Sequence, residues 1–216
     1  MTSHTNDLVQ KQGLQFFGSV NASISHELKN IFAIISETAG FLNDLTQLSK
    51  QGKPFDLSLL ENCSNSIAEE IERGFDTIRQ MNRFAHSVDD PVSDIRISEA
   101  LTLAVKLTGF LSFARKIRLE EPAENISVLT SPFLFQALLY KTLSALYRLM
   151  DTKGELTLAV KDTDSSGVTL IFSPAPTVDF TDFPDPRIAE IADAVNAAFA
   201  PTDTGLELKI MNTKPS

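Results

Sequence analysis

From residue 7 to residue 48 the chain contains no proline, and its apolar side chains return at every third or fourth position. The series is Phe17, Val20, Ile24, Leu28, Ile31 and Ile35, continued by Thr38, Leu42 and Leu45. Only a helix puts residues at that spacing on one stripe. A stripe of this length needs another helix to cover it. The segment Lys50-Gln51-Gly52-Lys53-Pro54 breaks the pattern, because glycine and proline together punctuate a helix. A second series follows: Leu60, Cys63, Ile67, Ile71, Phe75, Ile78, Met81, Ala85 and Val88. It stops at the run Asp89-Asp90-Pro91. Two long helices joined by a short turn form an antiparallel hairpin. A hairpin with a continuous seam buries little alone, so residues 1–90 are expected to pair with a second copy in a dimeric four-helix bundle.

Residues 91–216 have a different rhythm, and the boundary is expected within 89–94. Residues 97–113 carry a helical pattern, and one or two short strands are expected around the Pro122 turn. Ser131-Pro132 opens a helix to about Met150, with serine able to cap and proline suited to the first turn. Residues 154–162 and 167–173 alternate like a β-hairpin. Residues 185–199 read as a helix, and Thr204 to Met211 as a strand or short helix. The fold class expected is α+β, with the helical hairpin followed by an α/β sandwich.

Composition excludes several functions. The net charge of −9 speaks against nucleic acid and anionic membranes as general partners. The single cysteine, Cys63, rules out an internal disulfide or a cysteine-based zinc site and suits a reducing compartment. No apolar run is long enough to span a bilayer and the first residues lack a signal-peptide core, so a cytoplasmic location is expected.

One residue on the first helix stands apart. At about 100° per residue, His26 falls about 200° from Ile24 and Asn30 about 240°, both opposite the seam. An exposed histidine alone needs no explanation. Its surroundings, however, are Ser19, Ala22, Lys29, Ala33, Ser36, Glu37 and Gly40. Three of these are alanine or glycine, which leaves room for another helix to lie close, although alanine is also simply a good helix former. Imidazole offers a neutral nitrogen nucleophile near its ordinary pKa of about 6.5. Glu27 could hydrogen-bond the ring and ease charge build-up, or be a surface acid paired with Lys29 or another base.

Residues 17–45, with His26-Glu27-Leu28-Lys29-Asn30 at their centre, resemble the phosphoacceptor helix of sensor histidine kinases. The resemblance implies that His26 takes a phosphoryl group, that Glu27 assists, and that Asn30 can orient water. Ala22, Lys29, Ala33 and Glu37 would then contact a receiver domain. The family's proline after that position is replaced by Ile31, so the helix should run without a kink. Residues 96–211 resemble the ATP-binding domain that follows in this family, with its motifs eroded. Tyr140 and Ser144 stand in place of two asparagines, the second a magnesium ligand. Ser173 stands for the adenine-reading aspartate, and Ala175 and Thr177 for glycines. Gly205 and Leu206 remain of a glycine-rich loop whose second glycine is Glu207, though Gly205 reads more simply as a turn. A phosphate loop needs glycine for close backbone approach, and Glu207 would repel a triphosphate.

The resemblance therefore implies a dimeric histidine phosphotransferase that binds no ATP, uses no metal or cofactor of its own, and takes magnesium from its receiver partner. Other readings remain: a non-catalytic pseudokinase that docks a receiver or kinase, an atypical histidine kinase, or a response-regulator phosphatase using Asn30.

Overall fold

The computed structural model describes residues 3–112, 115–120, 126–164 and 166–213. The first helix, α1, runs Ser3–Lys50, and the second, α2, runs Ser58–His86. Between them Gly52 takes a left-handed φ of 71°, a conformation that glycine adopts at no steric cost. No helix among the described residues is long and apolar enough to cross a membrane.

Contacts divide the chain into two compact units: residues 19–83, and residues 1–18 together with 84–216. The start of α1 groups with the second half of the chain. In the unit of residues 19–83, α1 buries Val20, Ile24, Ile31 and Leu45, members of the expected seam. On α2 the seam divides. Cys63 and Thr77 are buried, whereas Ile71, Phe75 and Ile78 are 43%, 53% and 40% exposed. The less exposed line on α2 passes through Cys63, Ile67, Glu70, Gly74, Thr77 and Met81, of which Cys63 and Thr77 are buried and the rest half-buried, in alternating steps of four and three. At Gly74 a β-carbon would lie 3.7 Å from Cγ2 of Ile31, so α1 packs against bare backbone there.

The other unit is a helix-covered sheet. Its elements are β1 (Ser93–Arg96), α3 (Ile97–Ser112), β2 (Lys116–Leu119), β3 (Ser127–Thr130), α4 (Pro132–Leu149), β4 (Glu155–Asp164), β5 (Gly167–Ala175), α5 (Pro186–Ala194), β6 (Ala197–Thr202) and β7 (Gly205–Met211). The expected Pro122 turn lies outside the described residues. The main sheet has the order β2-β4-β5-β7-β6, with β2 parallel to β4 and the other pairs antiparallel. Alternation sends Leu156 and Leu158, Val168, Leu170 and Phe172, and Leu206, Leu208 and Ile210 into the core. Helix α4 buries eleven residues from Phe135 to Tyr147, which makes it the central helix. Beside it, Phe16 packs its ring on Phe84, Phe133 and Tyr140 at centroid distances of 5.2, 5.5 and 5.1 Å. Phe16 is thus the buried aromatic, and Phe17, assigned to the seam from its spacing, is 40% exposed.

Three local expectations change. The helix expected to reach residue 199 stops at Ala194, because Asn196 turns to φ 55° and β6 then pairs with β7. Asparagine tolerates that left-handed conformation. The alanines that suggested helix are overruled by the sheet edge, where Phe199 meets Phe183 ring edge to face at 5.1 Å. Second, Ser131 occupies the N-cap of α4 without a side-chain capping bond, while Pro132 takes the first helical position as expected. Third, β1 pairs antiparallel with β3, partly within the stretch read as a boundary.

Gly205 opens β7 opposite Thr202, and a β-carbon there would fall 2.2 Å from the Phe172 carbonyl oxygen. Its role is close strand approach at a tight turn. Gly205→Ala should therefore cost roughly 1–3 kcal/mol of stability through overpacking, read as a lower urea midpoint. An unchanged midpoint would contradict the packing at β5 and β7.

Candidate functional site

The helical face opposite the buried seam of α1 is open. His26, Ala22, Lys29, Asn30, Ala33 and Glu37 are all exposed. One turn of helix brings Asn30 Nδ2 to 3.2 Å from His26 Nδ1. With the amide donating, Nδ1 carries no proton, and the neutral ring holds its proton on Nε2, away from Asn30. With the amide reversed, its oxygen accepts from Nδ1–H and leaves an electron pair on Nε2. The Asn30 amide can thus pair with either tautomer of the neutral ring.

Glu27 is not on the imidazole. Its Oε1 accepts hydrogen bonds from Arg73 Nη2 at 2.6 Å and Nε at 2.9 Å. Arg73 Nη1 also donates to both oxygens of Glu70, at 2.9 and 3.0 Å. Glu27 holds the Arg73 guanidinium above its ordinary pKa through those hydrogen bonds, against the opposing pull of desolvation, and the charges of Glu27 and Glu70 add to the rise. The bland reading of Glu27 as an acid paired with a base therefore describes this geometry, with Arg73 rather than Lys29 as the base. The apolar spacing on α2 did not reveal Arg73, because a seam through Ile71 and Phe75 turns it away from α1. The signal was Gly74, which has no side chain and lies against Ile31 of α1.

The second unit contains a cavity of about 540 Å³ against α4 and α5. Tyr140 and Ser144, the residues standing in for asparagines, both line it. Ser144 donates its hydroxyl proton to the Tyr140 carbonyl at 2.7 Å, and burial raises the Tyr140 phenol's pKa. Ser173, Ala175, Thr177, Gly205 and Glu207 do not line this cavity. Glu207 lies in the middle of β7 and meets Lys161 Nζ at 2.5 Å. Among the described residues no group of three or more His, Cys, Asp or Glu could hold a metal ion.

No protein-family model matches the chain, and no curated protein matches it in sequence. Solved structures resemble it in part. A structure of the Acinetobacter baumannii histidine kinase AdeS is 12% identical with a TM-score of 0.45, covering 88% of this chain and 98% of the chain in that structure. The cytoplasmic segment of the histidine kinase QseC is 14% identical with a TM-score of 0.43, covering 67% of this chain and 95% of that segment. The ATP-binding domain of PrrB from Mycobacterium tuberculosis is 15% identical with a TM-score of 0.43, covering 59% of this chain and all of that domain. At these scores fold and chemistry rest on this chain's own residues.

The pair Glu27–Arg73 is 36% and 43% exposed, so solvent screens it. A double-mutant cycle with Glu27→Ala and Arg73→Ala should give a coupling of about 0.2–1 kcal/mol, measured by urea denaturation and reduced at high salt. A coupling indistinguishable from zero at low salt would mean that Glu27 is free to reach another partner.

Proposed function

We propose that this chain is a histidine phosphotransferase of two-component signalling, carrying a phosphoryl group on His26 between receiver-domain aspartates. The supporting observation is the exposed imidazole with the Asn30 amide beside Nδ1, so that Nε2 faces away from the amide and, with the amide oxygen turned to Nδ1–H, carries the free electron pair. Nε2 of the neutral ring attacks phosphorus as the bond to the aspartate oxygen breaks, and the aspartate leaves as carboxylate. The ring retains its proton on Nδ1 and becomes cationic, so it needs an acceptor there. The Asn30 amide sits beside Nδ1, and with its oxygen turned to the ring it would supply one. Arg73 holds Glu27, the neighbour of His26 in sequence, against α2. Ala22 and Ala33 flank His26 by about one and two turns, leaving space for a receiver helix, and Lys29 and Glu37 offer charges to its rim. The receiver supplies the magnesium that its own aspartate chemistry requires.

Transfer without ATP is part of the proposal. Tyr140 fills an asparagine position with a ring, and Ser144 turns its proton onto the helix backbone. A second reading, an atypical histidine kinase, draws on the cavity that persists beside α4. Labelled ATP alone would mark His26 under that reading and leave it unmarked under the first.

The working unit is proposed to be a homodimer, with Ile71, Phe75 and Ile78 covered by a second copy in a four-helix bundle. Phe75→Asp should yield a folded monomer by sedimentation, because the residue is 53% exposed within one chain. A wild-type monomer at micromolar concentration would refute the dimer. For the chemistry, labelled phospho-receiver should label the wild-type protein. His26→Gln should abolish labelling, and Ala33→Arg should slow it by at least tenfold, about 1.4 kcal/mol of lost docking, with dimerisation unchanged. Persistent labelling of His26→Gln would move the acceptor to His86, and normal transfer in both variants would end the phosphotransfer reading.

A further inference from the structure

The cavity beside α4 is lined by four cationic side chains from three parts of the chain: Arg115 ahead of β2, Lys141 and Arg148 on α4, and Arg187 in the first turn of α5. Asp185 is the single carboxylate in the lining, and its Oδ1 already accepts from the backbone N–H groups of Arg187 and Ile188. In a chain of net charge −9 such a concentration of positive charge needs a reason. Arg73, Arg79 and Arg96 each hold a nearby carboxylate. Among the described residues, Arg148 and Arg187 are in no ion pair. Lys141 is half-buried, with Nζ donating to Gln12 Oε1 at 2.8 Å. Burial pushes its pKa down; the Asp185 charge opposes this, while those of Arg187 and Arg148 add to the fall. Gathering these cations costs free energy that a bound anion would recover. Leu111, Tyr147 and Ile188 give the cavity apolar wall, and its volume lies within the roughly 300–1,000 Å³ typical of small-molecule sites.

We propose that this cavity binds a compact phosphorylated small molecule carrying at least two negative charges, without a divalent metal. Arg148 and Arg187 meet the phosphate oxygens at the mouth, and Lys141 and Arg115 meet them deeper in. Side chains provide the positive charge that a magnesium ion provides elsewhere. The direct binding measurement uses neither His26 nor a receiver.

The test is calorimetric titration of the full-length protein with inorganic pyrophosphate in excess EDTA at low salt. Saturable one-to-one binding is expected. Arg148→Glu and Arg187→Glu should each weaken it at least about tenfold. Arg118→Glu makes the same change of net charge outside the cavity lining and should leave affinity within about twofold. Circular dichroism would confirm that the variants fold, and pyrophosphate should raise the melting temperature of the wild type but of neither cavity variant. Absence of saturable binding, binding that requires added magnesium, or equal weakening by all three substitutions would each overturn the proposal. Failure of pyrophosphate to bind, joined to loss of receiver transfer in Arg148→Glu and Arg187→Glu, would overturn it too and assign the cations to an acidic protein partner.

Discussion

The register between α1 and α2 is the constraint on which the His26 face depends. Ile31 is 1% exposed and packs where Gly74 has no side chain. A methyl group would fit at Gly74 in ordinary contact, but a longer side chain would push against Ile31. Glycine inside a helix costs about 0.5–1 kcal/mol relative to alanine, so this close approach is offset by the packing it permits. One residue before Gly74 is Arg73, and four residues before Ile31 is Glu27. Helix periodicity carries the buried contact into the ion pair above it. His26, next to Glu27 in sequence, then remains on the open side, with Asn30 one turn away to hold the ring.

That register was only partly legible. On α1 the seam is unambiguous, since bulky aliphatic residues occupy nearly every inward position and the other face carries alanine, serine and charge. On α2 two lines of similar spacing run side by side. Ile71, Phe75 and Ile78 look like core by size, yet they stay exposed, and α2 meets α1 at Gly74 against Ile31 and at Arg73 against Glu27. Hydrophobic size marks surface that favours burial, without saying whether the same chain or another buries it. The large residues left over are therefore the ones that support a second copy, and the small ones set the contact within the chain.

In the second unit the alternating strands and the long α4 could be read from their periods, because each has a clear inside. What could not be read depends on neighbours distant in sequence. β6 is an alanine-rich edge strand whose helical propensity yields once β7 supplies hydrogen bonds. β1 is four residues long and exists only by pairing with β3. Phe16 and Phe17 are equivalent by composition. Phe133, Phe84 and Tyr140 decide between them by closing around Phe16.

Charges teach a similar lesson about direction. Glu207 looked like a charge set against a triphosphate because it takes the place of a glycine in a resembling loop. The alternation along β7 already argued otherwise. Leu206 and Leu208 turn inward, so the residue between them turns to the opposite face, and Lys161 of β4 meets it there. A residue's place in an alignment gives its position along the chain, while strand parity gives the side of the sheet on which its charge acts. By the same reasoning Tyr140, Ser144 and Arg148 share one face of α4, at intervals of four residues, and reach one cavity together. Lys141 joins them from the next position, and Arg187 arrives from α5. Likeness to a motif therefore says little about what a cavity accepts; the charges that line it say more, and here they are predominantly positive.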